Sequence, residues 1–341
     1  MRIALDAMGG DYAPVTNIEG AIEAVKKIKD ISVILVGQEA EILKELKKRD
    51  YPHPQISIKH ASERVGMDES PISTLRRKKD SSIRIAFDLV RRGEADAVVS
   101  AGNSGVVMAT ALYVLGRIPG IERPAIATTM PSLKGRFVLI DAGANVDCKP
   151  HHMVQFAIMG EAYAKHLLNI NDPKIGLLGI GEEDIKGNEL TRVVLKHLRS
   201  LHKNFIGNVE GKDIYLGDVD VVVCDGFVGN IALKISEGVA EAMTKMLKAE
   251  IKRIITGKIG YLLLKSAFRS FKKRTDYSEY GGAPLLGVPY PCIIGHGRST
   301  SRAIKNAIKV AVELHQKKVV HAISQEFSAR IDWRAQVAVT K

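Results

Sequence analysis

The chain has 341 residues, 45% of them apolar, enough to build a full core in one large α/β domain or two smaller ones. Aromatic residues make up only 5%, which argues against base-stacking platforms and a nucleic-acid partner; three scattered cysteines (Cys148, Cys224, Cys292) argue against a disulfide framework or a zinc site and point to a reduced cytoplasmic setting. The net charge of +12 is concentrated: residues 251–274 carry eight Lys and Arg and no acid, which marks a local partner surface.

Met1-Arg2-Ile3-Ala4-Leu5-Asp6 turns acidic too soon for a signal peptide, and no run approaches the ~18 apolar residues of a membrane span. The protein is therefore expected to be soluble or bound only at a membrane surface. Short β-branched runs then alternate with longer amphipathic ones. The predicted order is strand Arg2–Asp6, helix Val15–Lys29, strand Ser32–Gly37, helix Glu39–Arg49, strand Gln55–His60, helix Ser82–Arg92, strand Ala95–Ser100 and helix Ser104–Leu115. It continues with strands Pro124–Met130 and Phe137–Asp141, helix His151–Leu168, strand Lys174–Gly179, helix Lys186–Leu201, strand Val219–Asp225 and helix Asn230–Thr256. Helix Ile259–Lys273, strand Cys292–Gly295 and helix Ser299–Glu326 complete it. This alternation predicts a doubly wound, mainly parallel sheet with helices on both faces, a single large α/β domain. A helical excursion over residues 236–280 departs from it.

Six predicted strand ends carry small or acidic loops: 6–11, 100–105, 141–145, 179–183, 225–230 and 295–299. In parallel strands they are expected to share one rim, where main-chain N–H groups and helix starts can hold an anion. Ser100-Ala101-Gly102-Asn103-Ser104-Gly105 is the clearest. The bland alternative is that the glycines only serve tight turns. Asp6, Asp11, Asp141 and Asp225 can be read as a magnesium site or, better, as caps of turns and helices.

No Walker A pattern is present, and the Gly179-x-Gly181 turn lacks a third glycine, so the dinucleotide fingerprint is weak. Gly295-His296-Gly297-Arg298-Ser299 places Arg298 and hydroxyls at a helix start, an anion clamp or a plain N-cap. There is no Gly-x-Ser-x-Gly elbow, and only Cys148, beside Lys149, has a basic neighbour, so a protein nucleophile is not expected. Adjacent His151 and His152 do not share a helix face, which weakens a metal reading. Lys186 and Asn188 follow three acids at a predicted helix start; Lys186 either neutralises a phosphate or oxyanion, or pairs with those acids. Asn230 offers an amide donor or an N-cap.

The basic stretch interleaves Ile251, Ile255, Ile259, Leu262, Leu263, Ala267, Phe268 and Phe271 with Lys and Arg. That composition suits an interfacial helix on anionic lipid or a dimer contact with a basic outer face; Gly257 and Gly260 are expected to break it into a hairpin.

Taken together, Asp6-Ala7-Met8-Gly9-Gly10-Asp11-Tyr12-Ala13-Pro14, the loops 100–105, 141–145 and 225–230, Gly187-Asn188-Glu189, Gly281-Gly282-Ala283-Pro284-Leu285-Leu286-Gly287 and Gly295-His296-Gly297 resemble the phosphate acyltransferase (PlsX) family of bacterial phospholipid synthesis. The resemblance runs from Met1 to about Ile323. It implies a fold akin to phosphate acetyltransferases and isocitrate-type dehydrogenases, and a homodimer held to the inner membrane face by a helical hairpin. It implies transfer of a fatty acyl group from acyl carrier protein to inorganic phosphate, for use by a membrane glycerol-3-phosphate acyltransferase, with catalytic roles for Lys186 and Asn230. Substrate contacts are then expected at Asp6, Gly9, Gly10, Ser100, Gly102, Asn103, Ser104, Asn145, Asn188, Gly229, His296 and Arg298. Carrier or membrane contacts are expected at Lys258, Leu262, Leu263, Lys265, Phe268 and Arg269, with no metal and no cofactor. Competing readings are an acyl-CoA-using relative, a metal-dependent decarboxylating dehydrogenase of similar fold and a non-catalytic membrane scaffold.

Overall fold

Strand β1 (Arg2–Asp6) turns Ile3 and Leu5 to one face and Ala4 to the other, and all three are fully buried. A strand buried on both faces needs helices on both. The computed structural model, which describes residues 1–49, 51, 53–254, 256–275, 279 and 281–329, supplies them. In chain order follow α1 (Val15–Lys27), β2 (Ser32–Gly37), α2 (Glu39–Lys47), β3 (Ile56–His60), α3 (Pro71–Arg77), α4 (Ser82–Arg91), β4 (Ala97–Ser100) and α5 (Ser104–Val114). Next come β5 (Ala125–Pro131), β6 (Arg136–Ile140), α6 (Pro150–Leu167), β7 (Ile175–Gly179), α7 (Glu189–Leu201), β8 (Phe205–Glu210) and β9 (Val221–Val223). The chain continues with α8 (Gly226–Arg253), α9 (Gly257–Leu263), α10 (Lys265–Thr275), β10 (Ala283–Leu286), β11 (Cys292–Ile294), α11 (Ser301–Gln316) and α12 (Val319–Ala329).

Among the described residues the strands form one 11-stranded sheet in the order β3-β2-β1-β4-β11-β10-β5-β6-β9-β7-β8. Helices α1, α2, α6, α7, α11 and α12 cover one face; α4, α5 and the inner side of α8 cover the other. The predicted α/β class and mainly parallel sheet are observed. One consequence drawn from it is corrected. The pairs β11–β10, β10–β5 and β5–β6 are antiparallel. Three reversals leave β6-β9-β7-β8 running opposite to β3-β2-β1-β4-β11. The six loops therefore do not share one rim of parallel strands: 6–11, 100–105 and 295–299 follow one block, and 141–145, 179–183 and 225–230 follow the other.

Other differences have local causes. Strand β8 was not expected because Gly207 and Asn208 interrupt its apolar run, and β10 was not expected because Pro284 lies inside it. Helix α3 starts at Pro71 after Ser70, a signal passed over in the sequence. The predicted helix 299–326 is two helices, broken at Lys318, which adopts a φ of 52°. The predicted hairpin breaks at Leu264; Gly260 lies inside α9, where helical hydrogen bonds run to and from it. Ile255 and the tail beyond residue 329 lie outside the described residues.

Helix α6 lies on β6 and β9 at Gly160. A Cβ there would stand 2.6 Å from Val221 Cγ1 and 3.1 Å from Ile140 Cγ2. Both neighbours are fully buried β-branched side chains, stiff at χ1, so they yield only at a cost. Gly160→Ala should therefore lower stability by ~1–3 kcal/mol, the usual cost of overpacking. An unchanged urea midpoint and slope would show that this contact gives way.

Candidate active site

In the first loop group, Asp6 is a buried organiser. Its carboxylate accepts hydrogen bonds from Met8 N (3.2 Å) and Ser100 Oγ (2.7 Å). Burial pushes its pKa above the usual carboxylate range, against the pull of the Ser82 and Ser100 hydroxyls. Buried Asn17 clamps the same loop by donating to the carbonyls of Asp6, Ala7 and Gly9 at 3.2, 3.1 and 2.9 Å. Gly9 passes so close to the β4 loop that a Cβ would stand 2.8 Å from Gly102 N. Ser100 Oγ also accepts from Gly102 N at 3.1 Å. Asp11 N donates to Gly297 O (2.8 Å) and Gly295 N to Ser100 O (2.7 Å), so the loops after β1, β4 and β11 are stitched together.

Asn103, expected at the substrate, is committed to the protein. Its Oδ1 caps α5 through Val106 N at 3.2 Å, and its Nδ2 donates to Met67 O (2.7 Å) and Glu69 O (3.1 Å). Residues 61–80, which carried no motif, thus form a strap across this group. Arg64 Nη2 reaches Gly10 O at 3.4 Å, and Lys78 Nζ ties Arg64 O to the Glu69 carboxylate at 2.6 Å each. Ser104 stands exposed at the first position of α5, with no side-chain partner among the described residues.

In the second group, Asp141 is the organiser. Its carboxylate accepts from Ile126 N (3.0 Å), Gly143 N (3.2 Å), Ala144 N (2.9 Å), Asn145 N (2.7 Å) and Asn145 Nδ2 (2.8 Å). Asn145 Nδ2 also donates to Pro124 O at 2.7 Å. The glycine loop's N–H groups therefore point at Asp141, and Asn145 is a buried structural amide. Asp225 likewise caps α8 through Phe227 N (3.0 Å) and Val228 N (2.9 Å). Asp6, Asp141 and Asp225 follow the capping reading, and the two loop groups separate them.

Helix α8 seats its first turn on this loop. A Cβ on Gly229 would penetrate the Asp141 carbonyl oxygen, and one on Gly226 would lie 2.7 Å from Asn145 N and O. Asn230 is consequently one turn into α8, exposed, and is not the cap. Its Oδ1 lies 3.4 Å from where a Cβ on Gly143 would stand, and Gly143 holds a φ of 132° that disfavours any side chain. Lys186 lies in the loop before α7, whose cap is Asn188 (Oδ1 to Thr191 N, 2.9 Å). Of the three neighbouring acids, Asp184 is taken by Arg199 (Nη2 to Oδ1, 2.8 Å). Lys186 Nζ is exposed and has no ion-pair partner among the described residues.

The two groups meet along α8. Asn230, Lys234, Glu237 and Glu241 recur at helical spacing on one stripe. Lys234 pairs with Glu237 at 2.8 Å. Burial holds the His296 imidazole below its usual pKa, and the Lys234 ammonium adds to the effect. Lys245 holds the Glu241 carboxyl below its usual range, with Arg298 contributing. His296 Nδ1 accepts from Arg298 N at 3.1 Å, which leaves the proton of the neutral ring on Nε2. The opposite side of α8 exposes Val228, Ile231, Ile235, Val239, Met243 and Met246. In the hairpin Leu262, Leu263, Lys265 and Arg269 are exposed, Phe268 is half-buried against Tyr261, and Lys258 lies within α9.

Among the described residues one His/Cys/Asp/Glu set has metal-ligand spacing: Glu122, His151 and His152. Glu122 Oε2 lies 2.9 Å from His151 Nε2 and 3.6 Å from His152 Nε2. Yet His152 Nδ1 accepts from Lys149 N at 3.1 Å, so the neutral ring keeps its proton on the very nitrogen that faces the cluster. Burial lowers the His152 pKa to about 4. The set fits a hydrogen-bonded helix cap better than a metal centre.

No thiol is primed. Burial, with Asp141 and Asp225 nearby, pushes Cys148 up to about 12, and buried Cys224 lies well above its usual value.

The fold is that of the phosphotransacetylases. A phosphotransacetylase from Streptococcus pyogenes superposes with a TM-score of 0.58 at 19% identity, covering 95% of this chain and 94% of that one. The EutD phosphotransacetylase from Staphylococcus aureus gives 0.55 at 16%, covering 93% and 94%. A 4-hydroxythreonine-4-phosphate dehydrogenase from Klebsiella pneumoniae gives 0.54 at 13%, covering 92% and 99%. The chain belongs to the fatty acid synthesis protein family, whose family model matches residues 1–322. Relatives named phosphate acyltransferase include that of Thermodesulfovibrio yellowstonii, 57% identical over 328 residues (96% of this chain, 94% of the relative), and that of Geotalea uraniireducens, 55% identical over 326 (96% and 94%). Membership supports transfer of an acyl group to phosphate.

Cys148→Ser should leave turnover within about twofold, because a thiol held in its neutral form is a poor nucleophile. A steady-state assay that found the variant dead would assign Cys148 a chemical role.

Proposed function

We propose that the protein transfers a fatty acyl group from acyl carrier protein to inorganic phosphate. The acyl phosphate formed would feed a membrane acyltransferase that acts on glycerol 3-phosphate, on the way to phosphatidic acid. The observation that carries this reading is Lys186. It is a cation in a loop of acids, left without an ion pair among the described residues, beyond a strand neighbouring the one that leads to Asn230.

Phosphate is anionic at neutral pH and needs no protein nucleophile. One of its oxygens attacks the thioester carbonyl carbon, the C=O pair moves to oxygen, and the tetrahedral oxyanion collapses with loss of the thiolate. The proton of hydrogen phosphate passes to sulfur, giving acyl phosphate and free carrier thiol, and the reaction balances without a redox partner. What the enzyme supplies is position and charge. Lys186 Nζ neutralises phosphate or the developing oxyanion, and the Asn230 amide donates to it. Ser104, the Gly9–Gly10 turn and Arg298 are the remaining groups suited to phosphate.

Acyl carrier protein is acidic, and the exposed Lys252, Arg253, Lys265 and Arg269 suit it. No helix among the described residues is long and apolar enough to cross a membrane. Exposed Leu262 and Leu263 among those cations suit peripheral attachment to an anionic membrane surface. The outer stripe of α8 suits a second copy of the chain, giving a homodimer.

The test supplies orthophosphate with acyl carrier thioester and, in parallel, acyl-CoA, and measures acyl phosphate as hydroxamate. The carrier thioester should be the better donor by kcat/KM, and Lys186→Ala should lower kcat about 10²-fold or more. No mixed anhydride from the wild type, or full turnover by Lys186→Ala, overturns the reading. In vesicle flotation, Leu262→Glu with Leu263→Glu should cut binding to phosphatidylglycerol vesicles at least about tenfold. Unchanged flotation would remove the hairpin as the anchor.

A further inference from the structure

Lys186 is exposed on a loop, yet the loop has a buried foundation. Asn208 lies on β8 at the sheet edge, paired with Leu177 of β7, and is only 7% exposed. Its side chain packs beneath the turn that leaves β7: a Cβ on Gly179 would stand 3.8 Å from Asn208 Cβ and Cγ. Asn208 Nδ2 donates to Glu183 O at 3.1 Å. The same carbonyl accepts the main-chain N–H of Lys186 at 3.0 Å. One oxygen thus links a buried amide to the backbone of the exposed lysine. The stem of Lys186 folds back on the turn, and a Cβ on Gly181 would stand 2.9 Å from Lys186 Cγ.

We infer that Asn208 is a positioning residue for the acyl-transfer reaction, which holds the turn 179–186 in the conformation that delivers Lys186 Nζ to the reacting groups. The inference rests on the proposed role of Lys186. Three contacts fix the loop: Asn208 to Glu183 O, Arg199 to Asp184, and the Asn188 cap of α7. The Arg199 pair is half-exposed and the cap lies beyond Lys186, so both constrain the turn less. The Asn208 bond is partly buried and its donor residue buried, and removing that donor leaves Glu183 O with only the Lys186 N–H. A displacement of about 1 Å at a catalytic group suffices for a rate loss of the order of 10²-fold. Asn208 cannot itself touch substrate, since it lies below the loop.

The test is a cycle of Asn208→Ala and Lys186→Ala, singly and together, with Asn208→Ser as the variant that keeps a shorter donor. Asn208→Ala should lower kcat about tenfold or more, with a smaller change in KM for the thioester, and Asn208→Ser should recover part of the loss. In the Lys186→Ala background, Asn208→Ala should change kcat less than twofold. Amide hydrogen exchange over residues 180–188 should speed up in Asn208→Ala, with the core strands β6 and β9 unchanged. If Asn208→Ala does not fold, the same measurements on Asn208→Ser decide. Full kcat in a folded variant, an undiminished loss in the Lys186→Ala background, or unchanged exchange overturns the inference. If Lys186→Ala alone keeps full turnover, the proposed function fails, while the exchange readout still judges whether Asn208 anchors the turn.

Discussion

The seat of α8, on which the placement of Asn230 depends, leans on one buried carboxylate. Asp141 gathers the N–H groups of Ile126, Gly143, Ala144 and Asn145, together with the Asn145 amide. A carboxyl so deeply buried is costly unless its oxygens are bonded, and the N–H groups of a buried turn are costly unless they find an acceptor. Each solves the other's problem, and the loop after β6 becomes rigid. On that platform α8 can approach to backbone contact at Gly226 and Gly229. The approach places Asn230 above Gly143 and aims the polar stripe of α8 at the loop that carries His296 and Arg298.

The same interaction changes what the glycine turns can do. In sequence, Asp141-Ala142-Gly143-Ala144-Asn145 and Asp225-Gly226-Phe227 look like nests for an anion. In the fold the N–H groups of Gly143, Ala144 and Asn145 are directed at Asp141 and those of Phe227 and Val228 at Asp225, while Ala142 and Gly226 donate to the carbonyls of Ile126 and Asn145. The turn after β4 differs, because its acid comes from another strand and its helix opens with a hydroxyl, Ser104, that has no side-chain partner among the described residues. A glycine-rich turn reads alike in both cases; the direction of its N–H groups is a tertiary property.

Much of the architecture was legible. Nine strands and the doubly wound class follow from β-branched runs such as Val33–Val36 and Val221–Val223, with period-3.6 stretches between them. The reversal between Ala125–Pro131 and Arg136–Ile140 was legible but went unread, since the four residues joining them are too few for a parallel crossover; the other two reversals were not legible, because β10 is inserted from far along the chain. The strap 61–80 was missed for a different reason. It has no periodicity, and its contacts run through the carbonyls of Met67 and Glu69, which any residue would supply. Lys186 and Asn230 were singled out through motif resemblance, whereas Asn208 carries no motif and its place beneath the turn is visible only in the fold.

Helix α8 runs unbroken for 28 residues, about 42 Å at the usual rise per residue. One end sets the amide of Asn230 and the other leads into the basic hairpin, while the flank opposite the polar stripe is a ladder of Val, Ile and Met. A rod of that length transmits orientation without bending much. Whatever grips its greasy flank or its far tip, a twin molecule or a lipid leaflet, also dictates the angle at which the amide is presented. On the proposed function, attachment and chemistry are thereby two ends of a single mechanical part.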